Sequence, residues 1–350
     1  MNFDGEKFYS EEPNISDDYR KCYIDGVNDF IKRQYDKAEK QRNDFLNANE
    51  LANNMDKFRN EYKQMLGFDK IPKSNKEAKS AFVASDDICD IYRLTVYPVE
   101  EVPFYCLLLV PHNASDAPLF IAQHGGGGTP ELCCDIYGKN NYNHLARRAL
   151  KRGAVVLAPQ LMLWSSKESE TMRAHKIPHD RRAFDNVFKS FGFSMTALEI
   201  AGIMKGIDYA CGLPYVDSDK IIMAGISYGG YFTLYTMAAD TRIKAGYVAA
   251  AFNDRSVYNW SDWCYKNSAM KFHDAEVAAL CIPRKLCITV GQQDKIFDYK
   301  SAVREVEKAR NYFKALGCEQ KFLFDLWDGG HTIPDNDDAY EFIFSITKEQ

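Results

Sequence analysis

Gly225-Ile226-Ser227-Tyr228-Gly229 sets a serine between two glycines in a G-x-S-x-G pattern. A serine hydroxyl is a weak nucleophile at neutral pH. It needs a general base, and the base needs a carboxylate to orient it. The motif alone is short, and its neighbours make it specific. Ile221-Ile222-Met223-Ala224 reads as a buried strand, and Tyr231 to Ala239 reads as a helix. Strand, sharp turn and helix is the setting in which this pattern lifts a serine above a sheet as a nucleophile. The competing reading is a Gly-rich turn with an incidental serine.

A base and an acid are available further along the chain, in the order serine, acid, histidine. Asp294 follows the apolar run Leu286–Val290 through Gly291-Gln292-Gln293, so it falls on a loop at a strand's C-terminal end. Sites in open α/β sheets form there. Asp298, four residues further on, competes for the role. His331 follows the run Lys321–Leu326 in Asp328-Gly329-Gly330-His331, whose glycines suit a loop that must bend. Asp328 reads as a loop residue. Attack on a carbonyl also needs donors for the developing oxyanion. His124-Gly125-Gly126-Gly127-Gly128 follows the run Leu119–Ala122 and has the form of an esterase HGGG loop. Gly126 is the first choice of backbone donor and Gly127 the next, with Tyr228 supplying the second N–H. His124 reads as a residue that fixes this loop. No Lys-Ser or Lys-Thr follows the glycines, which argues against a phosphate-binding P-loop.

These residues need a frame. After Pro118, short apolar runs alternate with amphipathic stretches near 141–152, 194–211, 228–239, 300–316 and 337–346. The runs are Leu119–Ala122, Ala154–Ala158, Lys220–Ala224, Ala245–Ala251, Leu286–Val290 and Lys321–Leu326. Buried strands alternating with helices mean a mostly parallel sheet covered on both faces. Ile88–Val96 and Phe104–Val110 read as a hairpin-like pair of strands. Two helices open the chain. Tyr19, Tyr23, Val27, Phe30 and Ile31 follow the N-cap candidate Ser16 at helical spacing. Leu51, Met55, Phe58, Tyr62, Met65 and Leu66 do the same and stop at Gly67. Both faces are expected to bury, against the following domain or a second subunit, so a homo-oligomer is one option. The reading is an N-terminal helical extension over 1–84 and a catalytic domain over 85–350. The stretch 160–193 breaks the rhythm and is a candidate lid or binding insertion.

Composition bounds the partners. The 350 residues carry 27% charged side chains and a formal net charge of −5, with no long basic run, so nucleic acid is not expected. No apolar run approaches the ~18 residues that span a bilayer. Residues 1–13 are polar and acidic, without a signal-peptide pattern, and the ten cysteines show no CxxC or zinc-ligand spacing. The expectation is reduced thiols, a cytoplasmic location, no metal and no cofactor.

Gln123-His124-Gly125-Gly126-Gly127, Leu145–Gln160, Gly225–Gly230, Asp294 and Gly330-His331 together resemble the acetyl xylan esterase and dienelactone hydrolase-like branch of the α/β-hydrolase superfamily. Ala278–Arg284 and Arg59–Gly67 add to the likeness, which covers roughly 55 to 346. The resemblance implies an α/β-hydrolase fold, a small-molecule ester substrate and, in one form, acetylated carbohydrate. Dienelactone hydrolases typically use cysteine where this chain has Ser227, which favours ordinary carboxylic esters. Ser227–Tyr231 is also similar to the elbow of prolyl oligopeptidase-type peptidases, although the residues before the first core strand leave no room for a propeller. Three readings follow: a serine carboxylesterase, a peptidase or amidase, and a catalytically silent binding protein on the same fold. Trp164, Trp260 and Trp263 are candidates for a sugar-stacking or acyl-binding wall, or else core aromatics.

Overall fold

In a computed structural model the described residues are 4–138, 140–163 and 179–348. Nine strands form one sheet: β1 (Lys79–Ser85), β2 (Cys89–Val96), β3 (Phe104–Pro111), β4 (Ala117–Gln123), β5 (Val155–Pro159), β6 (Val216–Ile226), β7 (Ile243–Ala249), β8 (Lys285–Gly291) and β9 (Phe322–Trp327). Their order is β1-β2-β3-β5-β4-β6-β7-β8-β9. β3 runs antiparallel to both β2 and β5, and β1 is antiparallel to β2. From β5 to β9 every pairing is parallel. The helices among the described residues are α1 (Asp17–Phe45), α2 (Ala48–Leu66), α3 (Pro130–Cys133), α4 (Leu145–Leu150), α5 (Arg181–Ser190), α6 (Met195–Cys211), α7 (Tyr228–Ala239), α8 (Ser268–Lys271), α9 (Asp274–Ala279), α10 (Tyr299–Ala315) and α11 (Asp338–Phe344).

The sheet is apolar on both faces because both are covered. Along β4, Leu119 and Ile121 point to a core shared with α2, α6, α7, α9 and α10, while Phe120 and Ala122 point to one shared with α3, α4 and α11. All twelve residues of α7 are buried. That helix has no polar face, as suits one directly behind the central strand.

The six runs after Pro118 all become strands, and the Ile88–Val96 and Phe104–Val110 pair is antiparallel as expected. The stretch near 141–152 narrows to α4, because Asn143 and His144 both take positive φ (47° and 59°) and cannot extend the helix. β1 has no counterpart in the sequence reading. All its residues are exposed, so no alternation of apolar and polar residues marks it.

The two N-terminal helices behave differently. α2 belongs to the core: Leu51, Phe58, Tyr62 and Leu66 are buried. The Tyr62 hydroxyl donates to the Tyr235 carbonyl at 2.9 Å, and Arg59 donates to the Leu280 and Ile282 carbonyls. Gly67 closes α2 in the left-handed region at φ 77°. The apolar face of α1 does not bury against the following domain, which leaves the second-subunit option open: Tyr19, Tyr23, Val27, Phe30 and Ile31 are exposed within one chain, and only Ala38 and Arg42 of that helix are buried. Ser16 precedes α1, but its side chain makes no capping bond.

Phe58 is 2% exposed and meets Phe45 edge-on, with ring centroids 5.2 Å apart. Phe58→Ala should therefore cost the whole sheet domain about 3–5 kcal/mol in urea unfolding. A cost below about 1 kcal/mol would show that α2 is peripheral.

Candidate active site

Ser227 joins β6 to α7 at φ 57° and ψ −125°, conformations that L-residues avoid. The turn survives because the backbone around it is crowded and fixed. A Cβ on Gly225 would lie 2.5 Å from the Gly229 carbonyl oxygen, and one on Gly229 would overlap the Gln123 carbonyl. The Ser227 N–H donates to the Ala249 carbonyl at 2.9 Å, which ties the turn to the end of β7. The Ser227 side chain sits at the C-terminal edge of the parallel strands and is partly exposed, between buried Ile226 and Tyr228.

The glycine loop after β4 lies against this turn. A Cβ on Gly125 would come within 2.7 Å of the Ile226 carbonyl and 3.2 Å of the Ser227 Cβ. The Gly125 N–H is taken by the Tyr142 hydroxyl at 3.1 Å, and the Gly125 carbonyl accepts from the Gly128 N–H. Gly126 is the loop glycine left partly exposed, and Gly127 turns at φ 66°. His124 is fully buried. Its Nε2 accepts from the Leu161 N–H at 2.8 Å, so the proton sits on Nδ1 and is donated to the Gly125 carbonyl at 2.9 Å. His124 thus pins the loop to the strand end at β5. Tyr228 is the first residue of α7, where backbone N–H groups lack partners within the helix.

His331 and Asp294 meet: His331 Nδ1 lies 2.8 Å from Asp294 Oδ2. The two loops that carry them are laced together. The Gln292 N–H donates to the Trp327 carbonyl and the Gln293 N–H to the Gly329 carbonyl. The Asn141 side chain donates to the His331 carbonyl at 2.9 Å. Burial alone would push the Asp294 carboxyl up. The hydrogen bond and charge of His331, with the Ile296 and Phe297 N–H groups on Oδ1, outweigh that and hold it below the usual carboxylate range. Asp298 has another task, since it N-caps α10 by accepting from the Lys300 and Ser301 N–H groups. Asp328 accepts from the Gln293 side chain.

A continuous aromatic layer runs from Tyr228, the neighbour of Ser227, to His331. Half-buried Trp260 stacks on Tyr228 with centroids 5.6 Å apart and planes 20° apart. Trp263 is buried and stacks instead on Tyr231, so it backs the layer from the core side. Phe297 packs against both tryptophans and lies 5.8 Å from the His331 ring. Trp164 lies outside the described residues.

Beneath this layer is a charge network that sequence reading missed. Arg181 donates to Glu199 at 2.7 Å and to Asp262 at 2.8 Å, all three buried. The Tyr228 hydroxyl donates to the same Asp262. Burial pushes the Glu199 carboxyl up despite Arg181, and the Met162 N–H also donates to it. Asp262 had one sequence cue, its place between Trp260 and Trp263. Arg181 had only its place in the irregular stretch 160–193 and Glu199 had none, because their pairing is made only by the fold. Among the described residues no group of His, Cys, Asp or Glu could hold a metal ion, and no single helix is long and apolar enough to cross a membrane.

Comparison with known proteins fixes the class by fold. The chain matches a Bacteroides fragilis protein provisionally named an acetyl xylan esterase at TM-score 0.64 and 14% identity, covering 85% of this chain and 83% of the other. An acetyl xylan esterase from Paenibacillus sp. R4 matches at TM-score 0.57 and 17% identity, over 83% and 94%. A glucuronoyl esterase from Solibacter usitatus matches at 0.58 and 12%, over 83% and 92%. With this strand order the protein has the α/β-hydrolase fold. The sequence profile of the Prolyl oligopeptidase family matches residues 194–316, which hold the Ser227 turn and Asp294. No curated protein matches the chain in sequence.

Ionised Asp294 is favoured by the folded state, so its stabilisation is present above the unfolded carboxylate value near ~3.9 and is lost as pH falls through its lower folded value. Asp294→Asn should flatten that acid limb of the stability curve, measured by denaturant unfolding between about pH 2 and 5. An unchanged limb would mean that the pair does not hold Asp294 ionised.

Proposed function

We propose that the protein is a serine carboxylesterase that works through an acyl-enzyme. His331 Nε2 takes the Ser227 proton while Oγ attacks the ester carbonyl carbon. The resulting oxyanion accepts hydrogen bonds from the Gly126 and Tyr228 N–H groups, with Gly127 adjoining. Asp294 on Nδ1 fixes the imidazole tautomer and stabilises the cation. As the tetrahedral centre collapses, His331 returns the proton to the leaving alcohol. Water, deprotonated by the same histidine, then attacks the acyl-enzyme, and Ser227 recovers its proton as the acid leaves. The observation that carries this reading is the 2.8 Å His331–Asp294 contact at the sheet edge where Ser227 stands in a strained turn.

Acetylated carbohydrate is the substrate class we favour. Support comes from the names of the solved structures with this fold and from Trp260, whose ring offers a flat apolar face beside Tyr228. A peptidase reading has one observation of its own, the Prolyl oligopeptidase family match over 194–316.

Ser227→Ala and His331→Ala should each lower kcat/KM on p-nitrophenyl acetate by at least about 10³-fold, and Asp294→Asn by about 10²- to 10⁴-fold. Asp298→Asn keeps a good N-cap for α10, so it should change stability by no more than about 0.5 kcal/mol and leave the rate within a few-fold. The reverse ranking of the two aspartates would move the acid to Asp298. Across an acyl series, kcat/KM should fall as the chain lengthens beyond acetyl. Faster turnover of aminoacyl anilides than of acetyl esters would instead establish the peptidase.

A further inference from the structure

Residues 17–33 of α1 are all exposed. At 1.5 Å per residue, about 25 Å of helix stands clear of the body. A lone helix of that length is marginal in water. This one is also apolar along a side: Tyr19 is 79% exposed, Tyr23 76%, Ile24 57%, Val27 39%, Phe30 53% and Ile31 46%. At 3.6 residues per turn these fall in one arc. The same arc continues into Ala38, Arg42 and Phe45, through which α1 is seated on the body. The docking face therefore overshoots the domain it docks on. With ~200 Å² per aromatic side chain and somewhat less per aliphatic one, roughly 600 Å² of exposed apolar surface remains on each copy. That is at the top of what a monomer ordinarily shows, and two such faces together reach about the lower limit for a stable interface.

Charge indicates what covers it. Acidic and basic residues are equal in number on α1, so the helix lacks the cationic excess that draws an amphipathic helix to anionic lipid. The charges are ordered along the chain. Residues 11–31 are net acidic, with Glu11, Glu12, Asp17, Asp18, Asp25 and Asp29 against Arg20 and Lys21, and residues 32–45 are net basic, with Lys32, Arg33, Lys37, Lys40 and Arg42 against Asp36, Glu39 and Asp44. A parallel partner would set like charges together, whereas an antiparallel copy sets the acidic end of each arm against the basic stretch of the other. Midway is Gly26, where an added Cβ would meet nothing within 4 Å. A glycine inside a helix costs up to about 1 kcal/mol, and here it gives two backbones room to cross.

We infer that α1 is a self-association arm, by which two copies of this chain pair antiparallel through Tyr19, Tyr23, Val27, Phe30 and Ile31 and cross at Gly26. Sedimentation velocity of the full chain at ~20 µM, above the dissociation constant of even a micromolar dimer, should give twice the mass of one chain. Tyr23→Glu with Phe30→Glu should give a monomer with an unchanged thermal midpoint for the catalytic domain. Arg33→Glu should weaken the dimer about tenfold, and adding Asp18→Lys should restore it. The inference is overturned by a monomeric wild type, by a dimer that persists in the double glutamate variant, or by binding to phosphatidylcholine–phosphatidylglycerol vesicles without self-association. None of these readouts depends on catalysis.

Discussion

The close approach of three backbone segments at Ser227 is the constraint on which the rest of the site depends. The end of β4, the turn after β6 and the first turn of α7 meet without side chains between them, at Gly125, Gly225 and Gly229. A serine at φ 57° costs of order 1–3 kcal/mol and persists only where its surroundings over-determine it. Here the surroundings are a wholly buried helix behind the turn and a hydrogen bond from its N–H to the end of β7. The same lacing continues outward: the Ala250 N–H donates to the Thr289 carbonyl on β8, and the loops after β8 and β9 bond to each other. Serine, carboxylate and imidazole thus stand on strand ends coupled edge to edge.

Behind the sheet edge that carries Ser227, the Arg181–Glu199–Asp262 network joins parts of the chain remote in sequence. Burying one cation between two carboxylates is costly unless each is well hydrogen-bonded, and removing one partner leaves an uncompensated charge. The network ties α5 and α6 to the loop of Trp260 and Trp263, and through Asp262 to the Tyr228 hydroxyl. Its place in the molecule is to hold Tyr228, the residue after Ser227, against the aromatic layer. α2 closes the same core from the other side through Tyr62 and Arg59.

Much of this was legible in the sequence, for local reasons. The G-x-S-x-G turn, the glycine loop after β4 and the loop positions of Asp294 and His331 are each set by a strand followed by small residues. The choice between Asp294 and Asp298 was open in sequence, and geometry separates them: one carboxylate reaches His331 Nδ1 and the other caps α10. β1 escaped because an exposed edge strand has no apolar alternation. What covers the α1 face was not legible, because helical periodicity records an apolar side without recording its partner. Arg181, Glu199 and Phe297 escaped because nothing local marks a long-range contact.

The proposed esterase chemistry requires Ser227 to be an activated nucleophile. The direct measurement is reaction of the folded protein with a fluorophosphonate, followed by intact-mass and peptide-level mass spectrometry. One adduct per chain, on Ser227 and absent after unfolding or in His331→Ala, is the predicted result. Stoichiometric labelling at another residue, or none at all, would contradict it.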